Sequence, residues 1–198
     1  MPWQKQFDID ETLRKAGEAF WENGYEATSM TDLLAAMGIQ KGSFYNAFGS
    51  KHAVYLDALE QYSQATLGQT RELIADMSAL EALRTHFEAI REDCVGPTGH
   101  RGCMVVNCAL EVAHQDERAR EIVKKALGRH EGLLGELIRA GQAGGEIDPA
   151  IDADATAKVM MSIIMGMRVY SRSGSDPEAT RTLADQAMRL VSPVASSA

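Results

Sequence analysis

Three small constellations in this chain are of residue types that do chemistry. The stretch GIQKGSFYNAFGSKH, Gly38 to His52, sets Lys41 and Lys51 among Ser43, Tyr45 and Asn46. Those side chains hold phosphate oxygens and read the edges of bases. The chain carries 28 acidic residues against 20 basic ones, yet no Asp or Glu stands between Asp32 and Asp57. A carboxylate there would repel a polyanion, which gives the clearance a physical reason. The second constellation is Cys103, preceded by Arg101 in the Gly-rich loop GPTGHRG and set at the start of a helical stretch. A helix N-terminus and a guanidinium both favour the thiolate, the reactive form of the residue. The third, Glu111-x-x-His114, is half of a di-iron carboxylate pattern. No second copy stands on a matching helix, so no metal ligands are assigned. His130 beside Glu131 reads as a solvated helix face. The chain shows no hydrolase triad, phosphate-binding loop or dinucleotide fingerprint, so no catalytic residue and no cofactor are expected.

Helices must position all of these groups. Ile9, Leu13, Ala16 and Phe20 recur at helical spacing behind Asp8 and Glu11, with Gly24 as the stop. Ser29 with Asp32 opens a short second helix that Gly38 ends, and a third runs from about Lys41 to Phe48. Ser50 can cap a long fourth helix reaching about Met77. Ser78 to Glu81 reads as a capping box for a fifth, which ends near GPTGHRG. A sixth spans Cys103 to about His114, and a seventh, capped by Asp116, runs to Gly144-Gly145. An eighth covers roughly Asp152 to Ser173, and Ser175-Asp176-Pro177-Glu178 starts a ninth. No segment alternates with period two, so the fold class is all-α.

Two helices joined by the short Gly38-Ile39-Gln40 turn form a helix-turn-helix, with Lys41–Phe48 as the helix able to enter a DNA major groove. The segment TSMTDLLAAMGIQKGSFYNAFGSKHAVY resembles the N-terminal region of the TetR/AcrR family of bacterial repressors. That family commonly reads Gly-(Val/Ile)-Ser-Lys-Gly-(Ser/Thr)-(Leu/Phe)-Tyr-x-x-Phe-x-(Ser/Asp)-Lys here. The likeness runs from about Phe20 to Leu56. Gln40 departs from the usual Ser, and Leu34 and Met37 replace residues that are frequently Ala. The resemblance implies that Thr28, Ser29, Tyr45 and Lys51 contact phosphates, while Lys41, Gly42, Ser43 and Asn46 lie nearest the bases. Phe20, Leu33, Ile39, Phe44 and Phe48 read as core.

The resemblance also implies a DNA-binding domain over 1–54 and a dimerising, ligand-sensing domain over 55–198. In AKVMMSIIMGMRVY apolar residues cover nearly every side of the helix, which suits a face pressed against a second chain. The eighth and ninth helices would then form a four-helix contact in a homodimer. Candidate sensing residues are Cys103, Asn107, Phe87, Met160, Met161 and Ile164. The pattern from Arg101 to Asn107 resembles a branch of the family that includes sensors of electrophiles and oxidants. Two readings of Cys103 stand at this point, a reactive switch and a small thiol filling a gap. Cys94 and Cys108 read as inert.

The expectation is a homodimeric, one-component regulator, a repressor of a near-palindromic double-stranded operator, released by an unidentified small molecule or electrophile. The alternative is a helical small-molecule-binding protein or bundle enzyme without DNA binding. A net charge of −8 argues against indiscriminate coating of nucleic acid. Three unpaired-looking cysteines and the absence of a long apolar run point to the cytoplasm and away from membranes.

Overall fold

The computed structural model describes residues 7–174 and 177–192. Among these the chain is helical throughout, with no strand. In order the helices are α1 (Ile9–Asn23), α2 (Met30–Met37), α3 (Lys41–Phe48), α4 (Lys51–Leu73), α5 (Ala79–Val95), α6 (Met104–Glu111), α7 (Glu117–Ala143), α8 (Ala153–Arg172) and α9 (Pro177–Arg189). A single 3-10 turn, Gly99–Arg101, lies between α5 and α6.

Local chemistry sets most of these boundaries. Asp8 accepts the backbone N–H of Glu11 to open α1. Ser29 and Asp32 form a reciprocal capping box at α2, and Gly38 ends that helix in the left-handed region at φ 67°. Ser50 and Asp116 accept the N–H groups of Ala53 and Ala119 at the starts of α4 and α7. The expected box at α5 is corrected. Ser78 makes no cap bond with its own helix. Its hydroxyl donates to Glu146 at 2.7 Å, and the same carboxylate accepts the N–H of Leu80 at 3.2 Å. A carboxylate distant in sequence fills the role expected of Glu81. Those bonds hold its pKa below the usual carboxylate value, the Ser78 hydroxyl contributing most. α4 and α6 end earlier than the apolar spacing suggests, both running out through turns. The expected start of α9 at Ser175 and Asp176 lies outside the described residues.

The chain divides into two compact units that do not follow chain order. One comprises Met1–Thr66 with Cys103–Ala126, the other Leu67–Gly102 with Leu127–Ala198. The first is built on Leu13, Ala16, Phe20, Leu33, Met37, Phe44 and Leu56, all buried. Phe20 meets Tyr55 edge-on at 5.1 Å between ring centroids, which ties α1 to α4. In the second unit Leu83, Phe87 and Ile90 of α5 pack with Leu134 and Ile138 of α7 and Met160, Ile164 and Met167 of α8. Ala184 and Ala187 bring α9 onto the same cluster. The opposite side of α8 is left uncovered, with Val159 49%, Val169 45% and Tyr170 47% exposed. No described helix is long and apolar enough to cross a membrane.

Candidate nucleic-acid interface

α3 is a short helix fixed by one face. Phe44 is fully buried, tilted against Phe48 at 5.9 Å and edge-on to Tyr45 at 5.3 Å. That anchor turns Lys41, Gly42, Tyr45 and Asn46 outward, where all four are exposed, while Ser43 is half-buried. Among the described residues the side chains of Lys41, Ser43 and Asn46 make no hydrogen bond or ion pair. The first turn of α3 has no acidic residue, and Gln40 supplies no side-chain cap. Its leading backbone N–H groups therefore stay open to an anion. A β-carbon built on Gly42 would meet nothing within 4 Å. The fold itself does not require glycine there.

The flanking residues behave differently. Lys51 is half-buried; its ammonium lies 4.5 Å from the Tyr25 ring centroid and 3.5 Å from the carbonyl of Glu26. Ser29 is exposed, but its hydroxyl serves the α2 capping box with Asp32. Thr28 corrects the expectation placed on it. The residue is fully buried and its hydroxyl donates to the carbonyl of Gly24 at 2.7 Å, so it shapes the entry to α2 and offers no surface to a partner.

Sequence reading missed how this module is held. Both oxygens of the Glu111 carboxylate, at the end of α6, accept backbone N–H groups of the α1–α2 turn, from Tyr25 at 3.2 Å and Glu26 at 2.9 Å. His52 at the start of α4 meets Asp116 at 2.9 Å. Tyr55 bonds to Cys108, and burial is the main cause pushing up the pKa of both the phenol and the thiol, which keeps them protonated. The Glu111-x-x-His114 pattern was visible, but Glu111 is a backbone anchor and His114 is exposed. Among the described residues, no group of three or more His, Cys, Asp or Glu side chains is placed to hold a metal ion.

The candidate sensing residues fall in both units. Phe87, Met160, Met161 and Ile164 share the packed core of the second. Cys103 and Asn107 belong to the first. Cys103 is the half-buried N-cap residue of α6, and its carbonyl accepts the N–H of Asn107 at 2.8 Å. Cys94 and Cys108 are buried thiols, and burial raises both. His130 is not the solvated residue expected; it is half-buried and bonded to His86.

An all-helical chain presenting a helix-turn-helix whose turn and exposed second helix carry no carboxylate defines the class of helix-turn-helix regulators. Comparison with known proteins places it within that class. Residues 13–58 match the family model for bacterial regulatory proteins of the tetR family, and residues 78–187 match the tetracyclin repressor-like C-terminal domain. The chain belongs to the TetR family, and it is a DNA-binding transcriptional regulator rather than an enzyme. It is 29% identical to the HTH-type transcriptional repressor ComR of Escherichia coli K12 over 188 residues, 94% of this chain and 90% of the relative. It is 27% identical to the regulator YezE of Bacillus subtilis 168, covering 94% and 97%. Among solved structures, a cysteine variant of CifR bound to a 26-base-pair operator duplex aligns with TM-score 0.81 and 28% identity, covering 93% of this chain and 97% of that one. Reduced NemR of E. coli shares the fold at TM-score 0.83 and 20% identity.

Proposed function

We propose that this protein is a cytoplasmic, homodimeric repressor that reads an operator with α3. Residues 1–54 serve as the DNA-binding domain and 55–198 as the dimerising and sensing domain. The observation that carries this reading is the outer face of α3, where Lys41, Tyr45 and Asn46 stand exposed around a glycine that the fold does not need. Lys41, Ser43 and Asn46 contact bases or the nearest phosphates. Tyr45, Lys51 and the open N–H groups of α3 fix the register on the backbone. Gly42 lets the helix approach the duplex without a side chain standing it off.

Dimerisation runs through α8 and α9. Val159, Val169 and Tyr170 stand exposed on the side of α8 away from its core, and a second copy gives them cover. A stable interface removes roughly 1,200–2,000 Å² from water, more than one stripe supplies, so α9 contributes as well.

Release is linkage between the two domains: an effector that favours a dimer unfit for the operator is itself bound less tightly by the DNA-bound form. The coupling runs through α6. Its N-cap residue is Cys103 and its last residue holds the turn from which Thr28 and Ser29 emerge. Modification of Cys103 by an electrophile shifts α6 and with it the reader, and occupation of the α5–α8 core by a small molecule is the second route to release.

Retardation of the DNA flanking the protein's own gene tests the reading. Purified protein retards one fragment at low salt, unrelated competitor does not displace it, and affinity falls steeply as salt rises. Retardation that is indifferent to sequence, or absent, leaves a helical small-molecule-binding protein as the better account.

A further inference from the structure

His86 on α5 and His130 on α7 put a polar pair inside a unit whose interior is otherwise mostly apolar. Their Nε2 atoms are 2.8 Å apart, and His86 is 3% exposed. One imidazole must donate to the other, so each ring presents a different tautomer. Burial lowers the basicity of both rings; for His86 the facing imidazole and the charge of Arg168 on α8 add to it, and for His130 Arg168 does. The pair is neutral. The Arg168 side chain is 14% exposed and meets Asp93 at 3.2 Å, where that carboxylate is 69% exposed. Among the described residues, the charged or titratable groups acting on the two imidazoles are each other and Arg168. Two imidazoles from two helices thus meet within reach of the Arg168 charge on a third, and the carboxylate paired with that guanidinium stands largely in water.

Stability does not explain this arrangement. A buried neutral hydrogen bond contributes little beyond an apolar pair of the same shape. Two imidazoles suggest a metal ion, but the Arg168 charge disfavours a cation, and no third ligand stands beside them among the described residues. An anion meets the opposite conditions. It finds a guanidinium, which recognises carboxylates through paired N–H donors, and two rings able to take up a proton. Phe87 lies edge-on to His86 at 6.1 Å, and Leu83, Ile90 and Leu134 continue the apolar wall.

We propose that His86, His130 and Arg168 are the docking point for the acidic head of a small carboxylate effector, whose apolar body lies along the α5–α8 core. The inference rests on the sensing role assigned above to this part of the chain. The arriving carboxylate accepts N–H bonds from Arg168 and an imidazole and parts the pair. Uptake of one proton then makes both Nε2 atoms donors. Binding is therefore linked to one proton, and acid favours it.

Calorimetry on the full-length protein without DNA tests this, using octanoate, benzoate and phenylacetate, each against its own amide. At least one acid binds about tenfold or more tightly than its amide. Its affinity rises between about pH 8 and about pH 6, with proton uptake read from buffers of different ionisation heat. His130→Gln, which keeps a hydrogen-bonding side chain, and Arg168→Met both abolish the preference while the protein still melts cooperatively. Equal binding of every acid and its amide overturns the proposal. So does an acid preference that survives both variants, or stoichiometric binding of zinc alone that His130→Gln removes. Operator retardation by the same preparation separates the two failures. Protein that retards DNA and ignores every acid loses this inference only, and protein that retards no DNA loses the regulatory reading itself.

Discussion

α3 and α6 are both helices of eight residues in the same compact unit, and they use polar side chains in opposite ways. On α3 the polar groups face outward and bind nothing among the described residues. On α6 and the turn after it they face inward and hold something: Glu111 the α1–α2 turn, Cys108 the Tyr55 phenol, Asp116 the His52 ring. Polar residues that a fold needs are bonded within it. Those it leaves open at the tip of a helix belong to a partner. The contrast supports the proposal that α3 is the surface that touches DNA, with α6 holding the turn before it.

Charge reversal on α3 breaks the contrast most visibly. Lys41→Glu puts a carboxylate against phosphate, so operator affinity falls about a hundredfold, roughly 2.7 kcal/mol. The melting temperature stays within a degree or two, because the Lys41 side chain holds nothing; titrations and melts on the same preparation check both. The same class of change on α6 has the reverse profile. Glu111→Ala leaves two backbone N–H groups without their acceptor and costs about 2 kcal/mol of stability, seen as a lower denaturation midpoint. Glu111→Gln, which keeps one carbonyl acceptor, loses about half as much. A Glu111→Ala protein as stable as the parent would deny α6 its holding role.

Acid provides a smaller, graded test on the other unit. The His86–His130 pair is held neutral when folded, while in the unfolded chain each ring titrates near its ordinary value of about 6.5. Above that pH their contribution to stability is constant. Below it the unfolded chain binds protons that the folded pair refuses, so stability falls as pH drops, by on the order of 2 kcal/mol for each ring by about pH 5. Replacing both rings with Phe and Leu flattens that limb of the urea-denaturation profile. The smallest effect belongs to Cys103→Ser. Operator affinity without effector stays the same, and release by an electrophile such as N-ethylmaleimide disappears. Unchanged release in that variant makes Cys103 a packing residue.

The contrast between α3 and α6 was half legible in the sequence. α3 could be read because its chemistry is local: the missing carboxylates, the lysines and the Gly38 turn lie within a few residues of one another. The helix boundaries were readable for the same reason, since Asp8, Ser29, Ser50 and Asp116 act on the turn they begin. What escaped depends on partners far apart in the chain. Glu146 caps α5 from beyond α7, and its identity as a cap has no sequence pattern. Glu111 sits 85 residues from the Glu26 N–H it accepts, so its pattern was weighed only as half a metal site and set aside, and its anchoring role had no local signal. Thr28 failed in the other direction. Its position in the motif implied a phosphate contact, but a hydroxyl two residues before a helix can turn back on the preceding turn, and here it does.

The sharpest measurement sets Gly42→Ala against the parent in two assays, thermal melting and operator titration. An added methyl meets nothing in the fold, and Ala is the better helix former by about 0.5–1 kcal/mol. The variant should melt slightly higher and bind its operator about tenfold or more weakly. Equal operator affinity, with the same or higher melting temperature, contradicts the claim that the outer face of α3 lies against DNA.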